Sequence, residues 1–242
     1  MRLVTATAFA FAGALSLATL HAQQQPPAAG GQRMGGMQMP DTARKVENGG
    51  IHAPGWQGKP DEGAGSINDG KFEMKGAEIT INSGPAALYW NPANTGSGDY
   101  TVSATFTEPK YMSSMSHPHP YGVFIAGSNL DSGKATALYC AAYGRGTFIV
   151  RGFGPAPFMM NGRGAPNDAV HKAAGPGDSV TQTIAMSVKG DNVECAINGT
   201  TVATYPKSAV VGDGKLTSTD GIAGIRVAHN VDVIVKDFKV TK

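Results

Sequence analysis

Short runs in which apolar and polar residues alternate follow one another along most of the chain. Ala77–Ile81 and Val102–Phe106 alternate strictly, and Ile184–Val188 repeats the pattern in the second half. Alternation of this kind places the apolar side chains on one face of a β-strand. After the first residues, no segment has the 3.6-residue period of an amphipathic helix longer than roughly two turns. We therefore predict an all-β protein.

Turn sequences separate these runs at short intervals. Asn198-Gly199 lies between two alternating runs, which is the strongest short signal for a β-hairpin, and Gly144-Arg145-Gly146 marks a second one. Many short strands joined by such turns are typical of a two-sheet antiparallel β-sandwich or jelly roll. The segment Phe153–Gly177 interrupts this rhythm with Gly and Pro around an apolar centre. We predict that this long loop folds back over a sheet face and walls off a pocket.

The first residues have the pattern of an export signal. A positive start is followed by the apolar run Leu3–Leu20 and by residues suited to cleavage before Gln23, so we predict a signal peptide over residues 1–22. Residues 23–49 are rich in Gln, Pro and Gly and predict a low-complexity disordered linker. The domain is then expected over residues 50–242. We expect an extracytoplasmic protein, periplasmic or secreted, with no membrane span after cleavage.

Charge and cysteine content narrow the class further. The formal net charge of +2 comes without a basic run, so nucleic acid is not an expected partner. Cys140 and Cys195 both lie in predicted strands and keep phase with apolar neighbours. In an exported protein such a pair is read as a disulfide, and two isolated buried thiols are the alternative.

Near the end of the chain the sequence resembles a known fold. The hairpin Asn192–Tyr205, the segment Asp220–Asn230 and the last strand ending Asp237–Val240 are similar to the concanavalin A-like lectin/glucanase fold. Within that superfamily the chain most resembles the 3-keto-disaccharide hydrolases, a secreted family long known as a domain of unknown function. The resemblance covers roughly residues 50–242 and implies a jelly roll.

The motifs that carry the family resemblance are short. Trp56, Asn198-Gly199, and Gly224-Ile225 with His229 stand where the family has a leading Trp, a hairpin turn and a Gly-Ile-Gly-Leu...His segment. The acidic residue that often precedes the late His is Ala228 here, and the family's Arg after an earlier strand is missing. The paired-carboxylate strand of related glucanases is also absent from the sequence, so we do not expect two-carboxylate glycoside hydrolysis.

Three histidines are the candidate metal ligands. In His117-Pro118-His119-Pro120 each Pro holds the residue before it extended, so both imidazoles face the same way. If the fold brings His229 near them, the three could bind a divalent metal. The alternative is a rigid surface turn with its imidazoles in water, and a strand-end His229.

Proteins of this jelly-roll type often bind glycans through aromatic rings and polar side chains on a sheet face. Arg151 alternates with Ile149 and Phe153, so it lies on a strand face where a charge needs a partner or a ligand. Packing in the core or at an edge is the alternative for each aromatic candidate. The predicted ligand-binding residues are Tyr89, Trp90, Tyr121, Tyr139 and Arg151.

Three functions therefore compete. The first is an exported carbohydrate-interacting protein, either a glycan-binding module or an accessory domain, whose partner is an oligo- or polysaccharide. The second, implied by the resemblance, is a metal-assisted hydrolase or lyase acting on 3-keto-glycosides. The third is a structural surface or envelope protein whose Thr/Ser-rich sheet faces serve assembly.

Overall fold

The computed structural model describes residues 42–113, 115 and 117–242. The predicted signal peptide and residues 23–41 of the predicted linker lie outside the described residues. None of the described helices is long and apolar enough to cross a membrane.

The described chain is almost entirely β-strand, as the alternating pattern predicts. Two short helices, Ile67–Asp69 (3₁₀) and α1 (Lys207–Val210), interrupt it. The strands are β1 (Gly50–His52), β2 (Gln57–Pro60), β3 (Lys71–Lys75), β4 (Glu78–Asn82), β5 (Ala87–Gly96), β6 (Tyr100–Glu108), β7 (Tyr121–Ser128), β8 (Thr136–Tyr143), β9 (Thr147–Phe153), β10 (Phe158–Met159), β11 (Ala165–Pro166), β12 (Val180–Lys189), β13 (Asn192–Ile197), β14 (Thr200–Pro206), β15 (Gly221–Val227) and β16 (Asp232–Thr241).

The strands form two sheets, which confirms the predicted two-sheet sandwich. Sheet I has the order β1-β3-β4-β16-β6-β12-β13-β14. Sheet II has the order β10-β9-β8-β7-β15-β5-β2, and β11 also pairs with β9. The pair β1–β3 is parallel and the other named strand pairs are antiparallel. Strands distant in sequence are neighbours in both sheets, as in a jelly roll.

The main core lies between the two sheets. Phe72 and Phe106 of sheet I and Ile125 and Leu138 of sheet II are fully buried there. A disulfide between Cys140 of β8 and Cys195 of β13 joins the sheets across this core, with 6.0 Å between the Cα atoms. The predicted bridge is thereby confirmed.

Sheet II also carries a second apolar layer on its outer face. Leu88, Trp90, Phe124, Tyr139 and Ile149 are buried on that side. Strands β7 and β8 are consequently covered on both faces, which explains why their sequences are continuously apolar rather than alternating. The outer face of sheet II is thus where other segments pack and where a pocket forms.

The outer face of sheet I differs in chemistry. Its exposed hydroxyl side chains bond across the β6–β12 ladder, for example Thr105 to Thr183 at 3.1 Å and Thr107 to Thr181 at 2.9 Å. Cross-strand threonine pairs of this kind stabilise a sheet.

The long loop over residues 153–177 continues sheet II at its edge. Strands β10 and β11 both pair with β9, and the Asn161 side chain extends the pairing by accepting from Val150 N at 2.9 Å and donating to Phe148 O at 3.1 Å. Phe158 packs against the main core. The loop therefore extends a sheet edge, and contrary to the prediction none of its described residues lines the pocket characterised below.

The packed domain also includes residues just before the predicted boundary at residue 50. Arg44 donates from Nε to the Ser83 carbonyl at 2.8 Å and forms an ion pair with Asp232. Asn230 accepts a hydrogen bond from Arg44 N at 2.8 Å. These contacts attach the segment around Arg44 to the start of β16.

Candidate functional site

A pocket of about 260 Å³ opens at one end of the outer face of sheet II. This end is where β7 begins and β15 finishes, and Ala228 N donates to Pro120 O at 2.9 Å between them. The His-Pro segment before β7 and the residues after β15 are therefore held side by side. The residues lining the pocket are Asp61, Ala86, His117, Pro118, His119, Pro120, Tyr139, Tyr143, Ile149, Arg151, Arg226, Ala228 and His229.

Strand register explains why polar side chains from three strands share this face. Tyr139 of β8 lies directly opposite Arg151 of β9. Arg226 of β15 lies in line with Gly122 of β7, and residues opposite one another in a sheet point to the same side. A Cβ on Gly122 would come within 1.9 Å of a neighbouring carbonyl oxygen, so no side chain fills the space beside Arg226.

Arg226 and Asp61 form an ion pair at the wall of the pocket. The two guanidinium Nη atoms donate to the two carboxylate oxygens at 2.5 and 2.6 Å. The guanidinium also lies 5.4 Å from the Tyr139 ring centroid and 5.1 Å from that of Phe153. Burial disfavours the charged guanidinium, but the Asp61 carboxylate outweighs burial and raises the pKa of Arg226. Arg226 is thus a fixed, neutralised cation.

Arg151 has a different environment in the same pocket. Its Nε atom is buried and has no hydrogen-bond partner among the described residues. The only acidic residue lining the described pocket is Asp61, which is occupied by Arg226. Among the described residues that line the pocket, none balances the positive charge and the desolvated donor of Arg151.

The three predicted histidines do converge. His117 Nε2 and His119 Nε2 are 3.0 Å apart, and the ring centroids of His119 and His229 are 4.0 Å apart. His119 Nδ1 lies 2.5 Å from the His229 carbonyl oxygen, which can only accept. His119 Nδ1 must therefore carry a proton, and in the neutral ring Nε2 then accepts from His117 Nε2–H.

This arrangement bears directly on the predicted metal site. Within the part of the chain that the structure describes, no group of three or more His, Cys, Asp or Glu side chains has the geometry to hold a metal ion. A metal would have to replace the hydrogen bond between His117 and His119, since a bound metal takes the Nε2 lone pair. Metal binding by His117, His119 and His229 stays a prediction.

Two tyrosines contribute aromatic rings to the lining of the pocket. Tyr139 is 7% exposed and Tyr143 is 9% exposed. Burial raises the pKa of Tyr143, although the charges of Arg151 and Arg145 oppose this, so its hydroxyl remains a neutral donor and acceptor at physiological pH. The Arg145 guanidinium lies 4.8 Å from the Tyr143 ring centroid.

The other predicted ligand-binding residues lie elsewhere. Tyr89 and Tyr121 face the main core, where Tyr89 stacks on Phe72 at 4.7 Å between ring centroids, and they are 1% and 0% exposed. Trp90 is on the outer face of sheet II but is 3% exposed and does not line the described pocket. These three side chains offer no surface to a ligand, because the packing of sheet II covers both of its faces.

Sequence reasoning missed Asp61 and Arg226. Arg226 alternates in phase with Gly224 and Ala228, and a charge on the face of a buried strand is the same signal that singles out Arg151. No local sequence pattern distinguishes Asp61. It follows β2, and its place in the pocket is evident only from the ion pair that it forms with Arg226.

Comparisons with known proteins define the fold. No protein-family model matches the sequence, and a search of curated proteins gives no significant match. A Bacillus subtilis protein with a galectin-like fold is 15% identical, with 77% of this chain and 88% of that chain covered and a TM-score of 0.50. A carbohydrate-binding module from Bacillus subtilis is 10% identical, with 78% and 96% covered and a TM-score of 0.48. The likeness to the first of these structures shows the fold alone, a galectin-like two-sheet β-sandwich.

Proposed function

We propose that the protein binds a carbohydrate in the pocket of sheet II, as a glycan-binding or accessory protein. The observation that carries this proposal is the combination, in one pocket, of two tyrosine rings with arginine and histidine donors. Sugars present both apolar C–H faces and hydroxyl groups, and this pocket offers a surface for each.

The pocket's dimensions and rigidity fit such a ligand. Its volume of about 260 Å³ lies just below the ~300–1,000 Å³ range of small-molecule sites, which suits one sugar unit better than a long segment. Tyr139 and Arg151 project from paired strands, and Arg226 is fixed by Asp61. Side chains held in this way lose little entropy when a ligand binds.

We also propose that the protein is exported, to the periplasm or beyond the cell. The Cys140–Cys195 disulfide supports this location, because structural disulfides persist in oxidising compartments and are rare in reducing ones. Fractionation of cells expressing the full chain tests it. Recovery of the whole pool in the cytoplasm, still carrying residues 1–22, would refute export.

A glycan array followed by titration calorimetry tests carbohydrate binding. Tyr139→Ala should weaken binding of any array hit by about tenfold or more, since a stacked ring contributes about 0.5–1.5 kcal/mol beyond its buried area. Tyr205→Ala, a matched loss on β14 of sheet I, should bind like the wild type. Silence on the array across neutral and charged glycans, with folded protein, would refute the proposal.

The convergence of His117, His119 and His229 favours a second candidate, a metal-assisted hydrolase or lyase acting on 3-keto-glycosides. Divalent-metal content of the purified protein, measured together with turnover of 3-keto-glycosides, tests it. Stoichiometric metal that is lost in His117→Ala and His229→Ala, with parallel loss of turnover, is the expected result. A native protein that neither takes up added zinc nor turns over these substrates would exclude this candidate.

A further inference from the structure

The described residues that line the pocket of sheet II carry more positive than negative charge. Arg151 and Arg226 line it, and Asp61 is the one acid among the described residues that do so. Asp61 bonds Arg226 through both carboxylate oxygens. Arg226 is therefore neutralised inside the pocket, whereas no described acidic residue of the lining neutralises Arg151.

The backbone of Arg151 is fixed by strand pairing on both sides. The residue lies on β9 between Tyr139 of β8 and Met159 of β10. Its Nε–H is buried and has no acceptor among the described residues. Leaving a buried donor unsatisfied costs about 1–3 kcal/mol, and more when the group is charged. An acceptor on a bound ligand would satisfy this donor.

We propose that the ligand's sugar ring carries an oxyanion, either a carboxylate or a sulfate ester, and that Arg151 binds it. The planar guanidinium presents parallel N–H donors that match two oxygens of such a group. Asp61 does not repel the anion strongly, because Arg226 neutralises it at hydrogen-bond distance. Tyr139 and Tyr143 line the same pocket, beside the position assigned to the ring.

This inference rests on the proposed function, since it specifies which sugars the same pocket selects. It separates uronic acids and sulfated sugars from neutral ones. A neutral sugar would leave the Arg151 charge without a counter-charge, and discrimination follows from that difference.

Three probes built on one ring test the inference: methyl glucoside, methyl glucuronide and methyl glucoside 6-sulfate. Each is titrated by NMR into the wild type, Arg151→Gln, Arg151→Lys and the control Arg163→Gln, which removes the same charge from an exposed loop position. The wild type should bind at least one charged probe about tenfold or more tightly than the neutral parent. Arg151→Gln should abolish that preference, so that the charged and neutral probes bind it with similar affinity, and Arg151→Lys should retain part of the preference. Arg163→Gln should behave as the wild type.

The outcomes distinguish failure of the oxyanion assignment from failure of the proposed carbohydrate binding. Equal affinity for all three probes, or a preference that survives in Arg151→Gln, overturns the oxyanion assignment and leaves carbohydrate binding standing. If no sugar binds, either in these titrations or on the array, both the oxyanion assignment and the proposed carbohydrate binding are refuted. Whichever charged probe is preferred identifies the group as carboxylate or sulfate. Melting curves of the variants establish that each is folded, and Arg151→Lys serves if Arg151→Gln is not.

Discussion

Glu108 should make the stability of this protein fall as pH rises. Its side chain is 1% exposed at the end of β6, and neither carboxyl oxygen has a hydrogen-bond partner of normal geometry in the described chain. Burial raises the pKa of Glu108 from 4.5 to about 7, and the Asp232 carboxylate adds to this. The Met112 N–H and the Tyr121 hydroxyl favour the charged form, but burial outweighs them.

The magnitude follows from the two pKa values. Below pH 4.5 Glu108 is protonated in the folded and the unfolded chain, so it does not affect the equilibrium. Between 4.5 and about 7 the unfolded chain ionises first and the folded chain binds more protons, so stability falls. At about 1.4 kcal/mol per pH unit the full loss is roughly 3 kcal/mol, complete above pH 7.

Urea denaturation of the wild type and Glu108→Gln from pH 4.5 to pH 8 measures this effect. Gln cannot ionise, so the unfolding free energy of the wild type relative to the variant should decrease by roughly 3 kcal/mol over that range. All other ionisable groups are common to both proteins, so the difference isolates Glu108. The exposed Glu47→Gln variant controls for loss of one carboxylate. A wild-type-minus-variant difference that is constant with pH would refute the reasoning.

Three further substitutions have defined outcomes. Asp61→Asn leaves the buried Arg226 without its counter-ion and should lower the unfolding free energy by about 3–5 kcal/mol in denaturant titrations, whereas an unchanged midpoint would show that the pair is not structural. Replacing Cys140 and Cys195 together by Ala removes a cross-link that spans 55 residues. The greater chain entropy of the unfolded state should lower the unfolding free energy, measured by denaturant titration, by about 4 kcal/mol. A decrease below about 1 kcal/mol would contradict this. Arg151→Met should raise the melting temperature, because it removes an unsatisfied buried donor, while reducing glycan binding; a lower melting temperature would mean that Arg151 stabilises the fold.

Much of the fold could be predicted because its information is local. Strict alternation over Val102–Phe106 and Ile184–Val188 corresponds to β6 and β12, which face the core on one side and water on the other. Cys140 and Cys195 were in phase with apolar neighbours, and the two sheets bring them together. The apolar run around Tyr89 does not alternate, because sheet II is covered on both faces. The sequence therefore does not indicate which of its side chains face the main core.

The site could be predicted only where a local constraint acts. The two prolines fix the spacing of His117 and His119, but the approach of His229 depends on the pairing of β7 with β15, which are far apart in sequence. Asp61 depends on tertiary packing alone. Long-range register of this kind is set by the whole sheet, so neighbouring residues do not reveal it.

The most direct test of the central claim is where a bound glycan perturbs the protein. Backbone amide shifts are followed while an array-selected glycan is titrated into the labelled protein. They should change at His117 and His119, at Tyr139 and Tyr143, and at Arg151, Arg226 and His229, which line the pocket of sheet II. Saturable shifts confined to the hydroxyl-rich outer face of sheet I, or no shifts with a glycan that binds by calorimetry, would contradict it.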